Sequence, residues 1–163
     1  MSGLSAFRTT PWHPSFSWVE TAAAAAAQIA LFHADSPLRA EQIEDAILSA
    51  YEYLYSRDGV GSRTLKDIHQ SIYSEKEFAG RWRKANISTG SHTAPTWADI
   101  PSLMKRLRRK YLRLDNLETL ERWYSDFESI LPFQVGNGQV GGVAVCAIAH
   151  SLYPDRGWYA ANQ

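Results

Sequence analysis

Near the end of the chain stands GNGQVGGVAVCAIAHSLY, residues 136–153, and it limits the fold more than any other stretch. At helical spacing its apolar and small residues fall on nearly every face rather than on one stripe. A helix of that kind is stable in water only when neighbours enclose it, so the pattern places it at the centre of a helical bundle. The 163 residues suffice for one domain with such a core. The single cysteine, Cys146, lies inside this run, which predicts a buried, unreactive thiol. One cysteine makes no internal disulfide, and that fits a reducing cytosol.

The segments upstream supply the enclosure. Residues 18–34 carry an alanine run ending in Ile29, Leu31 and Phe32. Alanine favours helix and lets neighbouring helices approach closely. The run follows a polar and aromatic segment and is too short to span a bilayer, so neither an export signal nor a membrane helix is expected. In the next helix Ser36 is placed to cap and Pro37 to occupy the first helical position. Ile43, Ile47, Ala50, Tyr51 and Leu54 form its apolar face, and Gly59 and Gly61 break the chain. TLKDIHQSIY, residues 64–73, predicts a short helix with Thr64 and Asp67 as a capping pair. Residues 99–114 predict another, with Leu103, Leu107, Tyr111 and Leu114 as its buried stripe. Residues 115–130 open with Asp115 and Glu118 in capping spacing and bury Leu117, Leu120, Trp123 or Tyr124, and Phe127. Between these lies AGRWRKANISTGSHTAP, residues 79–95, which has little helical period and reads as a hairpin or extended flap. The expected fold is all-α, with six or seven helices and one irregular flap. Residues 1–17 read as an N-terminal arm and 18–163 as a single domain. The arm's Phe7, Trp12 and Phe16, with Trp18, either pack onto the bundle or dock a partner.

Just before and within the start of the apolar helix comes LPFQVGNGQVGG, residues 131–142. A glycine turn that opens a helix presents backbone N–H groups with no intrahelical partner, and the helix dipole adds positive potential. Gly136, Asn137, Gly138 and Gln139 therefore make a candidate anion cradle. Gly-Asn-Gly is also ordinary turn chemistry, and no Gly-Lys-Ser/Thr follows to make a Walker A loop. The stretch from Leu131 to Gly142 holds no charged residue and no histidine. Phosphoryl chemistry draws on cations, metal ions and a group that orients the nucleophile, and this loop supplies none of them.

The loop resembles the signature of the Fic (Fido) family of nucleotidyl transferases, His-x-Phe-x-Asp/Glu-Gly-Asn-Gly-Arg-x-x-Arg. Phe133 and Gly136-Asn137-Gly138 match it, and Pro132 is common in the family. Upstream, LKDIHQSIYSEKEFAGRWRKANISTG and APTWADIPSLMKRL resemble the family's Ala-Gly–Arg segment with its hairpin flap and the helix start that follows. HSLYPDRG resembles the segment after the motif helix, so the likeness covers about residues 45–158. It implies a Fic-fold helical bundle around a central motif helix, with a small β-hairpin flap. It also implies AMP transfer from ATP to a protein hydroxyl, through a motif His as general base, an acidic Mg²⁺ ligand and two phosphate-binding Arg. Here those four positions are Leu131, Val135, Gln139 and Gly142. Loss of a general base alone costs about 10²–10⁴ in rate, and loss of the cations removes electrostatic stabilisation as well. The expectation is a pseudoenzyme with no catalytic residue, no metal ligand and no required cofactor. A nucleotide or phosphate held without Mg²⁺ is its candidate ligand. The alternatives are a divergent nucleotidyl or phosphoryl transferase or hydrolase using the same cleft, and a host-directed interaction protein using the basic helix or the aromatic arm. No histidine stands in clearly as a base. His150 is 12 residues beyond Gly138, roughly 18 Å along the helix axis, His69 reads as a packing or hydrogen-bonding residue, and His92 follows the flap.

Two further surfaces are candidates for binding. By the resemblance, Arg83, Lys84, Ala85, Asn86, Ile87 and Ser88 form a flap that pairs with an extended segment of a protein target, a β-augmentation mode. Lys105, Arg106, Arg108, Arg109, Lys110 and Arg113 make a basic helix face, read as a solvated face or as a site for acidic partners. Residues 81–113 hold nine basic residues against Asp99 alone, although the chain balances 17 Lys and Arg with 17 Asp and Glu. That balance argues against nucleic acid or an anionic membrane as the partner of the whole chain. A protein partner is expected, with nucleic acid the lesser alternative, in the cytoplasm of a bacterial cell, the chain being bacterial or phage-encoded.

Overall fold

The computed structural model describes residues 7–9, 18–32, 39–54, 59–153 and 158–160. Its elements in chain order are strand β1 (Phe7–Thr9), helices α1 (Trp18–Phe32), α2 (Ala40–Leu54) and α3 (Ser62–Ile72), strands β2 (Ser88–Thr89) and β3 (His92–Thr93), helices α4 (Ile100–Lys110), α5 (Leu117–Ile130) and α6 (Asn137–Leu152), and strand β4 (Trp158–Ala160). The fold is all-α, as the sequence predicts, with two small antiparallel strand pairs. In one pair β1 runs against β4, with Phe7 opposite Ala160 and Thr9 opposite Trp158. Trp12, Phe16 and the Ser36–Pro37 start of α2 lie outside the described residues, as do the side chains of Phe7 and Trp18.

The helix made of apolar and small residues is the centre. α6 touches α1, α2, α3, α5 and β4, and from Gln139 to His150 every residue is buried. Small residues set how near the neighbours come. A Cβ on Gly141 would stand 2.9 Å from the Tyr124 ring and 3.1 Å from that of Phe127, both on α5. One on Gly142 would stand 3.3 Å from Ile29 of α1. Across that contact α1 buries Ala22, Ala25, Ala26, Ile29 and Ala30. Glycine inside a helix costs roughly 1 kcal/mol against alanine, and here it is the condition for close packing. Cys146 is fully buried, which pushes its thiol pKa up to about 12.

Local signals place the helix ends with small corrections. α3 begins at Ser62 with Gly61 at its cap, so Thr64 lies inside the helix and does not cap with Asp67. Asp67 instead faces Arg63, one turn back, at 3.6 Å. α5 is capped by Asn116, whose side chain accepts from the Thr119 N–H at 2.9 Å, one residue later than the Asp115 reading. α4 buries Met104 with Leu107, while Leu103 and Leu114 are only half-buried. Among the described residues no helix is long and apolar enough to cross a membrane.

Candidate functional site

The loop between α5 and α6 is held from within and from three sides. α5 closes on Leu131, whose backbone is left-handed (φ 49°) and whose N–H donates to Phe127 O at 3.2 Å. Among the described residues it is the one non-glycine with positive φ. That conformation costs a β-carbon residue about 1–2 kcal/mol, so other contacts must hold it. Asn137 ties the loop across its mouth: its Oδ1 accepts from Phe133 N–H and its Nδ2 donates to Phe133 O, each at 2.8 Å. Gly136 caps α6 with φ 81°. A Cβ there would stand 2.4 Å from the Tyr73 ring, so both the backbone angle and the space demand glycine.

Tyr73 is the lid on this turn. It follows α3, is fully buried, and its hydroxyl donates to Gln139 Oε1 at 2.7 Å. Its ring takes the Arg39 guanidinium at 4.3 Å from the centroid. Arg39 in turn donates to Ile72 O at 2.8 Å and pairs with Glu75 at 2.5 Å. His69 closes the opposite side. Its Nδ1 accepts from the Gly80 N–H at 2.9 Å, which leaves Nε2 to carry the proton donated to Val135 O at 3.0 Å. The ring stacks on Phe133 at 4.1 Å and 5° and on Tyr73 at 4.9 Å. Burial lowers its pKa to about 4, so at neutral pH it is a neutral ring with both nitrogens in use.

The expected flap is present as β2 and β3, paired Ser88 with Thr93 and Thr89 with His92. Lys84, Ala85, Asn86 and Ser88 are exposed and Ile87 is half-buried. Arg83 departs from the docking role expected of it. It is only 3 % exposed, and its guanidinium donates to four backbone carbonyls: Leu131 at 2.6 Å, Ala85 at 2.8 Å, Pro95 at 2.5 Å and Ile130 at 3.2 Å. Its own N–H donates to Pro132 O at 2.8 Å. Arg83 thus grips three consecutive carbonyls at the C-terminal end of α5, where a cation also suits the helix dipole, and fixes both the flap base and the left-handed Leu131. His92 donates to Ser129 O at 2.8 Å in the last turn of α5.

Lys105, Arg106, Arg108, Arg109, Lys110 and Arg113 are all exposed. Lys110 is pinned to Asp126 at 2.9 Å, and that hydrogen bond raises its pKa. His150 is buried on α6 with its ring 5.2 Å from that of Tyr51.

The motif positions can now be placed. Leu131 is buried, Gln139 is fully buried under Tyr73, and Gly142 abuts Ile29, while Val135 points an alkyl side chain toward solvent. The fold and this site define a class: a helical bundle whose innermost helix opens at a Gly-Asn-Gly turn beside a β-hairpin. The chain belongs to the Fic/DOC family, whose model matches residues 60–149. Three solved structures share the fold. A Fic family protein from Desulfovibrio desulfuricans G20 is 20 % identical, with a TM-score of 0.60 over 83 % of this chain and 50 % of that one. IbpAFic2 covalently tethered to Cdc42 is 16 % identical, with a TM-score of 0.66 over 90 % and 53 %. Fic-1 from C. elegans is 17 % identical, with a TM-score of 0.55 over 89 % and 41 %. The chain thus spans about half the length of the first two. Among curated proteins none matches it in sequence. The Mg²⁺ that the family's motif implies does not fit here, because the Val135 side chain has no donor atom where the acidic ligand would stand and its carbonyl is taken by His69.

Sequence reasoning located the loop and read His69 as a packing or hydrogen-bonding residue, which it is, but missed the Tyr73 lid and the partners of both. Tyr73 and His69 each lie 66 residues from the loop atom they bind, and Arg39 lies 33 from Ile72. No local periodicity reports pairings at such separations. The signal that could have been used is Gly136 itself, since a left-handed glycine at a helix start leaves room for a large ring.

Proposed function

We propose that this protein is a Fic-fold pseudoenzyme that does not transfer AMP and acts by binding. The observation that carries the reading is the fate of the motif positions. The general-base position is a buried leucine, and the first arginine position is a glutamine held by Tyr73. The second arginine position is a glycine packed on Ile29, and the metal position is a valine. Three of the four are absorbed into packing, and what remains of the loop is a backbone turn with the N–H groups of Asn137, Gly138 and Gln139 at a helix start. The partner is a protein whose extended segment lies along the exposed edge of β2 and β3. The solved relative tethered to Cdc42 supports a protein in that role. A nucleotide or phosphate at the turn is the accessory ligand, held without a metal.

A thermal-shift panel of ATP, AMP and inorganic phosphate, each with and without Mg²⁺, tests the ligand half. A ligand at ~100 times its Kd stabilises by about 2.7 kcal/mol. Any such shift should be the same with and without Mg²⁺. A shift that needs Mg²⁺ would overturn the reading, because Val135 gives the ion no ligand.

A further inference from the structure

Between the flap base and the start of α4 lies a cavity of about 310 Å³ that the Fic motif does not use. Its walls include Lys66, Arg81, Trp82, Lys84, Trp97 and Pro101. Trp97 is 43 % exposed, although indoles are highly buried on average. Its backbone N–H donates to Asn86 Oδ1 at 3.0 Å, which fixes it beside the residues leading into β2. Four basic residues line the cavity, Lys66, Arg81, Arg83 and Lys84, with the Arg83 guanidinium spent on backbone carbonyls, while no Asp or Glu is among the lining residues. Lys105 stands one turn beyond Pro101 on α4 and is exposed.

We propose that this cavity receives an acidic peptide segment of the partner, anchored by one aromatic or large apolar side chain against Trp97. The proposal rests on the reading that the flap side of the molecule docks a protein. The volume is at the small end of ligand pockets and suits a single large side chain. Lys66, Arg81 and Lys84 complement carboxylates on either side of that anchor. Single-stranded nucleic acid fits less well, because it is bound on successive open aromatic faces. Trp82 offers no free one: Lys66 Nζ sits 4.6 Å over its ring and Phe133 packs at 5.0 Å. Of the two aromatic residues lining the cavity Trp97 alone is open, enough for one anchor and too little for a stacked run of bases.

Fluorescence anisotropy tests this with a labelled peptide of glutamates carrying one central phenylalanine. Its lysine counterpart and an oligothymidylate of similar length are the comparison probes. The glutamate peptide should bind saturably, and Trp97→Ala and Lys84→Glu should each weaken it about tenfold or more. Both positions are exposed, and circular dichroism checks that each variant is folded. The proposal is overturned if neither variant changes affinity or if no saturable binding occurs. It is equally overturned if the lysine peptide binds as well, or if the oligothymidylate binds more tightly in a Trp97-dependent way. Thr89→Pro, which removes an N–H from the β2–β3 hairpin, separates the pocket from the flap reading. Binding lost in Trp97→Ala but kept in Thr89→Pro supports the pocket and sinks the flap. The reverse keeps the flap and sinks the pocket.

Discussion

Protonating His69 should loosen the loop, and the size of the effect follows from its surroundings. The ring is fully buried, stacked on Phe133, with Nδ1 accepting from Gly80 and Nε2 donating to Val135. A second proton has nowhere to go without breaking the Gly80 bond. Burial therefore brings the pKa from its ordinary 6.5 to about 4. The unfolded chain takes up the proton more readily than the native protein. The stabilisation from a neutral His69 is complete above about pH 6.5 and is lost as pH falls from there toward about 4. By about pH 4.5 the loss is about 2.5 kcal/mol. The wild-type profile alone hides this. Glu128 has a buried Oε1 with no hydrogen-bond partner among the described residues, and burial raises its pKa from 4.5 to about 7. Its contribution has the opposite sign, growing by a similar amount as pH falls through the same range. The assay is urea denaturation of the wild type and of His69→Phe at about pH 7.5 and about pH 4.5. His69→Phe should be less stable at the higher pH, because two buried backbone groups lose their partner. Its change between the two pH values should differ from that of the wild type by about 2.5 kcal/mol, the wild type losing more. Equal changes in the two proteins would refute the neutral, doubly bonded ring.

Glu128→Gln should remove the compensating gain, so the variant loses stability relative to wild type as pH falls from about 7 to about 4.5, read in the same denaturation series. Gly136→Ala puts a Cβ into Tyr73 at a positive φ and should cost about 2–4 kcal/mol, with altered near-ultraviolet circular dichroism as Tyr73 shifts. Asn137→Ala strips both partners from the Phe133 backbone and should cost about 2–4 kcal/mol by urea denaturation. Arg83→Met leaves the carbonyls of Ile130 and Leu131 without their cation. It should cost about 3 kcal/mol and speed amide hydrogen exchange at Ala94, whose N–H donates to Ile87 O in the flap.

The central helix was legible because enclosure is the only stable state of a helix apolar all round, and Val140 through Ala149 announce it. The flap was legible as a gap in helical period, and its strands fall within that gap. Capping was legible only to within a residue or two. Asn116 and Asp115 are both good caps, and it is Asn116 that accepts from the Thr119 N–H. The four motif positions were legible as chemistry lost. Their packing was not, because Tyr73, Ile29 and Arg83 reach the loop from other elements. Arg83 shows the limit well: its place in a basic segment suggests a charge for a partner, and tertiary folding turns it onto backbone carbonyls instead.

The central claim is that this Fic-fold protein binds without transferring. ATP labelled in its α-phosphate, incubated with Mg²⁺, the purified protein and a cell lysate, tests it most directly. The account predicts that no protein retains label, alongside an active Fic enzyme that labels its target under the same conditions. Metal-dependent labelling that disappears in the Asn137→Ala variant would contradict it.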